Sequence, residues 1–242
     1  MINRILPLFA SALLALPAQA QDTPEAINYI EANLVSIFYH ELGHALIDIL
    51  ELPVFGQEED AADTASILLI DAFYEDDAAT GIARDAAFGF LDEADTTDAA
   101  PAWWDVHGPD LQRYYNLACL FYGADPDSRG ALADELEIPD ERLESCAEEF
   151  ELAYDSWGPV MDDLSKAAPA KSIVYKGGTD TLTERLVSDE VEILNRDFSL
   201  PETLLVEVTS CDEANAFYDP EAKSITICTE FEPHLRDLFN VN

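Results

Sequence analysis

This 242-residue sequence predicts an α+β fold, mainly helical, with a small β-α-β-β sheet at its C-terminal end. Three observations carry that expectation. Residues 24–165 read as helical, with Leu42, Ala45, Leu46 and Ile49 at the i, i+3, i+4, i+7 spacing that turns one stripe toward a core. Composition then changes at the short linker Ala167-Ala168-Pro169-Ala170. Beyond it, short runs rich in Ile, Val and Thr are bounded by Gly177-Gly178 and Asp219-Pro220, as strands are bounded by turns.

The elements follow in order. Residues 1–20 carry Arg4, an apolar run over 5–16 and Ala18-Gln19-Ala20, the pattern of a signal peptide cleaved before Gln21. That run is too short to span a bilayer, and no second apolar stretch follows. The mature chain is therefore expected to be exported, to the periplasm or the medium, with no integral membrane segment after signal removal. A helix through residues 27–50 ends at Pro53 and Gly56, and a second begins near Gln57. Residues 79–91 form a third, and the acidic stretch 92–100 reads as a solvated loop. Helices over 109–122 and 141–164 follow, the latter split at Gly158-Pro159. Strands are expected at 172–175, 204–208 and 224–228, with helices at 182–198 and 232–239. The chain thus divides into a helical lobe, 21–166, and a small lobe, 171–242, that completes a cleft.

The chemistry concentrates at His40-Glu41-Leu42-Gly43-His44. On a helix, positions i and i+4 share a face, so His40 and His44 can offer both imidazoles to one ion. Glu41 projects roughly a third of a turn away, where it reaches a water on the ion without ligating it. Two His ligands with an adjacent carboxylate base are the pattern of a zinc hydrolase. Gly43 costs roughly 1 kcal/mol in a helix interior and is explained if another backbone or a substrate comes close. A third ligand is available in Glu59, and Asp63, four residues on, can accept the N–H of a ligating His and fix its tautomer. Glu58 loses the ligand role because Asp63 lies five residues from it, off the same face. Acids in a first helical turn also complement the helix dipole without any metal.

H-E-x-x-H followed by E-x-x-A-D resembles the gluzincin metallopeptidases. More narrowly, residues 40–45 and 52–63 are similar to a family of secreted bacterial metallopeptidases, as are the stretches 104–119, 215–220 and 225–228, so the likeness covers most of the mature chain. It implies a zincin-like fold, one Zn²⁺ per chain and a peptide substrate. Gluzincins place the small sheet before the active-site helix; here it follows. The resemblance therefore implies a permuted arrangement, with Asn215-Ala216-Phe217 and the next strand packed back over the His40–His44 helix as the cleft edge.

A peptidase also needs a donor for the developing oxyanion, and His107, Tyr114 and Tyr115 are the candidates. His107 alternatively buttresses the following helix, and the tyrosines fill core. His234 reads as a surface residue. The net charge of −38 becomes −39 without Arg4, from 11 basic and 50 acidic residues, which makes nucleic acid and anionic lipid poor partners. Four cysteines in an exported chain suggest two disulfides. Of three pairings, Cys119–Cys146 would join consecutive helical segments and Cys211–Cys228 would close a hairpin; no C-x-x-C spacing favours thiolate zinc. The expected function is an exported zinc-dependent metallopeptidase with Glu41 as general base. The alternative is a catalytically idle domain of the same shape that binds a peptide or protein partner, its zinc structural. An acidic divalent-cation buffer would need a D-x-[DN]-x-[DN]-G loop, which the chain lacks.

Overall fold

The structure, a computed structural model, describes residues 22–96, 100–166 and 171–241. The expected signal peptide and the linker 167–170 lie outside the described residues. Helix α1, Pro24–Ile49, is the axis of the molecule. Thr23 caps it by accepting the Ala26 N–H, and Pro24 sits where its missing donor costs nothing. Leu34, Phe38, Tyr39, Leu42 and Leu46 are fully buried. The expected single apolar stripe is too narrow a description: α1 is buried on nearly every side, because helices and the C-terminal sheet enclose it.

Helices α2 (Glu58–Phe73) and α3 (Asp76–Thr96) pack against α1. α3 continues past residue 91 to Thr96, so the first half of the expected loop over 92–100 is helical. The acids there have tertiary partners rather than solvent alone: Tyr29 Oη donates to Asp92 at 2.7 Å, and His234 pairs with Glu93. Helix α4 spans Asp110–Ala124, α5 is a short helix at Gly130–Glu135 that the sequence reading omitted, and α6 spans Asp140–Lys166. The expected break at Gly158-Pro159 does not occur. α6 runs through Pro159 because Trp157 and Leu164 anchor it to the core on either side. Cys119–Cys146 joins α4 to α6 as expected. A Cβ on Gly123 would stand 2.1 Å from the Cys146 carbonyl oxygen, so these helices cross where glycine alone fits.

The sheet has four strands, β1 (Ile173–Lys176), β2 (Leu204–Thr209), β3 (Ala216–Asp219) and β4 (Ser224–Cys228), in the order β1-β2-β4-β3. That is one strand more than expected; β3, Ala216-Phe217-Tyr218-Asp219, lacks the Ile, Val and Thr that mark the other three. β1 to β2 and β2 to β4 are parallel, β3 to β4 antiparallel. Helix α7, Leu182–Asp197, crosses between β1 and β2 and opens with a Thr181–Glu184 capping box. The second disulfide, Cys211–Cys228, also forms as expected: β3 and β4 are an antiparallel hairpin, and the bond ties the segment before β3 to the end of β4 at its open end. Helix α8, Phe231–Val241, closes the chain against α1 and α3.

β3, an outer strand of the sheet, lies along α1. Tyr218 Oη donates to Asp48 at 2.6 Å, and Lys223 Nζ meets the same carboxylate at 2.5 Å. Buried residues from 22–166 and from 171–241 form a single apolar cluster.

Candidate metal centre

The site is made by a close helix crossing. A Cβ on Gly43 would stand 2.9 Å from the Ala62 Cα and 3.2 Å from its carbonyl oxygen. The missing side chain thus lets the backbone of α2 approach α1, which brings the first turns of α2 onto the His40–His44 face. This is the approach of another backbone that the glycine suggested.

Three side-chain atoms meet there. His40 Nε2, His44 Nε2 and Glu59 Oε2 are each 3.2 Å from the other two. The remaining ring nitrogens are both held by carboxylates: His40 Nδ1 lies 2.7 Å from Asp63 Oδ1, and His44 Nδ1 lies 2.8 Å from Glu58 Oε1. An Nδ1 proton shared with a carboxylate leaves the Nε2 lone pair free. Two such lone pairs aimed at each other require a positive charge, either a proton or a cation. Arg113 secures the arrangement from α4, donating through Nε and Nη2 to the two oxygens of Asp63 at 2.8 and 2.7 Å, with its guanidinium over the Phe90 ring.

His107 approaches from the segment before α4. Its Nε2 is 3.0 Å from Glu59 Oε2, and Asp105 lies 3.3 Å from its Nδ1. Glu41 is buried beside His40.

The electrostatics follow from this crowding. Burial works to lower the His40 pKa, but the hydrogen bonds to Asp63 and Glu59 carry it up to about 9. His44 and His107 are raised too, His44 against burial and His107 chiefly by Glu59. Glu59 falls far below the ordinary carboxylate range, with the His107 bond as the leading cause, followed by those to His40 and His44. Asp63 is held low by Arg113 and His40 against the cost of its burial. Glu41 moves the other way: burial raises it, partly offset by the His40 and His44 charges. Two carboxylates within one site are thus driven apart, one kept ionised and one made a better proton carrier.

His40, His44 and Glu59 together form a group that could hold a metal ion. They open on a cleft of about 1580 Å³ whose walls include Ile37, Glu41, Trp104, His107, Phe217 and Tyr218. A family model, DUF4344, described as "Putative metallopeptidase", matches residues 9–161 and 169–242. The chain belongs to this family. No curated protein and no solved structure matches it. Membership of a metallopeptidase family, together with the His-His-Glu group, points to a metal-dependent peptidase acting on a peptide substrate.

In this member of the family the residues singled out from sequence are distributed as follows. His40, Glu41, His44, Glu59, Asp63 and His107 come together. Tyr114 is core, donating to the Leu136 carbonyl, and Tyr115 packs edge-on against it. Neither tyrosine lines the cleft. His234 is not simply a surface residue, since its Nε2 meets Glu93 at 2.5 Å. Phe217 and His40 line the same cleft, as the implied edge strand requires. Sequence reasoning gave no role to two residues. Glu58, rejected as a ligand, orients His44 instead; it precedes Glu59 and so lies on the neighbouring helix face. Arg113 is the other: its partner Asp63 is fifty residues away, one of 50 acids it could have met.

Proposed function

We propose that the protein is an exported zinc-dependent peptidase, with His40, His44 and Glu59 as zinc ligands and Glu41 as general base. The observation that carries this reading is the triangle of donor atoms. Donors about 2.0–2.1 Å from a tetrahedral ion stand about 3.3 Å apart, and the three pairs here are each 3.2 Å. Two imidazoles and a carboxylate are a donor set zinc accepts, with a fourth position for water or substrate. Bound there, zinc would supply Lewis acidity that lowers the pKa of water toward neutrality and polarises a carbonyl.

The chain's own residues do the rest. Glu41 takes a proton from the attacking water and passes it to the leaving amine, for which its raised pKa suits it. His107, held by Asp105 at the mouth of the site, donates a hydrogen bond to the carbonyl oxygen as charge develops. Asp63 and Glu58 fix the tautomers of His40 and His44, and Arg113 fixes Asp63. The outer edge of β3 offers main-chain groups to an extended peptide. The two disulfides support export.

Metal content of the purified protein, measured by mass spectrometry beside Glu59→Ala, tests the site. About one zinc per chain in the wild type and far less in the variant is expected. A wild type that holds no zinc after reconstitution ends the proposal. Glu41→Gln should then retain the zinc and lose hydrolysis.

A further inference from the structure

We infer that the cleft takes an internal, positively charged stretch of peptide with a bulky apolar side chain beside the scissile bond, and refuses a chain end that carries a carboxylate. This inference rests on the peptidase reading of the same site and adds the substrate class. Its basis is the charge and surface of the cleft walls. Apart from histidines, Arg113 is the one cationic side chain among the described residues that line the cleft. It is almost wholly buried and both of its bonds go to Asp63. The nearby Lys223 is committed to Asp48. No lysine or arginine among the described cleft residues is therefore left to receive a substrate carboxylate, and one placed away from the ion and His107 loses its hydration without compensation.

The acids point the same way. Glu41, Asp48, Glu58, Glu59, Asp105 and Asp110 line the cleft. Adding Asp63 and setting the seven against Arg113, Lys223 and a dication leaves the cleft three charges negative with His107 neutral and two with it protonated. Low-dielectric walls focus such a field, so flanking Lys or Arg side chains are drawn in. The apolar element comes from two separate parts of the chain. Trp104 and Val106, 86 % and 63 % exposed, stand on the segment before α4; Phe217, 42 % exposed, stands on β3. All three face the cleft that holds His40 and Glu41. Large apolar side chains left open beside a reacting centre are surface that a substrate covers. The cleft volume, about 1580 Å³, exceeds that of a small-molecule pocket (roughly 300–1,000 Å³) and suits several residues of extended chain.

The test uses peptides of one length around an aromatic pair. One is flanked by Lys with both ends blocked, one is flanked by Glu with both ends blocked, and one is flanked by Lys but ends in a free carboxylate next to the pair. Cleavage rates are measured with the zinc-loaded protein, and affinities with zinc-loaded Glu41→Gln by calorimetry. At low salt the blocked Lys peptide should lead both others by about tenfold or more in kcat/KM and in affinity, the margin shrinking in about 0.5 M NaCl. Trp104→Ala and Phe217→Ala should each weaken the aromatic peptide several-fold, leave an alanine-cored version nearly unchanged and retain the metal. Equal or better handling of the Glu or free-carboxylate peptide overturns the inference, as does indifference of both variants to the aromatic pair. If the wild type cleaves nothing, the peptidase reading fails, and binding to Glu41→Gln still decides the inference by itself.

Discussion

Two kinds of histidine face the same oxygen of Glu59. His40 and His44 stand on a buried helix, with their Nδ1 atoms on Asp63 and Glu58. His107 stands on the segment before α4, its side chain 47 % exposed, steadied by an Asp105 only two residues away. The first pair is over-determined: the helix fixes the Cβ positions, the carboxylates fix the rings, and Arg113 fixes one of the carboxylates in turn. The third ring stands half exposed on a connecting segment, and its nitrogens are held by Glu59 and Asp105 alone among the described residues, so less of the fold fixes it. In the proposed reaction the difference would separate two tasks that one set of residues would perform poorly. Holding an ion calls for rings that cannot rotate away, whereas meeting a carbonyl whose charge develops during reaction calls for a donor that can adjust.

Substitutions break that comparison most sharply at the helix. His40→Ala should abolish metal retention after dialysis, assayed by mass spectrometry, while His107→Ala should keep the full metal complement and lose about 10²–10³ in kcat. A His107→Ala protein that sheds metal as readily as His40→Ala would make His107 a ligand and erase the distinction. Next comes the shell around the helix pair. Asp63→Ala or Arg113→Ala should weaken metal binding by about 10–100-fold in a chelator competition, and Asp105→Ala should leave it unchanged. Smaller again is Gly43→Ala. Its methyl would press on the Ala62 backbone and force α2 outward, costing about 1–3 kcal/mol in denaturant unfolding and loosening the metal. Unchanged stability there would mean the crossing is not set by Gly43.

The same contrast explains what the sequence disclosed. His40, Glu41 and His44 were readable because helical spacing alone puts them together. Glu59 and Asp63 were readable because a second helix repeats the i, i+4 rule. The role of Glu58 was not: it depends on the rotation of α2 against α1, which Gly43 and Ala62 set through space. Arg113 reaches Asp63 across fifty residues, and no local pattern records that. In the fold, long helices and the β1-α7-β2 unit announced themselves by period and turn chemistry. β3 did not, because Ala216-Phe217-Tyr218-Asp219 has none of the β-branched residues that mark the other strands, and α6 kept its course through Pro159 because core anchors outweighed a local preference.

The smallest effect is a pH dependence that separates the two histidine environments in the metal-free protein. His40 has its pKa raised to about 9 in the fold, against the 6.5 of a free imidazole. A raised folded-state pKa means the protonated form is favoured by folding. Its contribution to stability is therefore complete below about pH 6.5 and lost as pH climbs through about 9. Melting temperature of the metal-free protein should accordingly fall over that window, with the ring of His40 bound between Asp63 and Glu59 as the main source. His40→Gln should flatten much of the slope. His107→Gln should flatten less, since that ring is half open to water and its charge is screened. Metal reverses the sign, because ligating imidazoles must be deprotonated and binding tightens as pH rises. A metal-loaded protein that loses stability over the same window as the metal-free one would place the ion elsewhere. An equal flattening by the two substitutions would mean that the loop histidine is held as firmly as the helical pair.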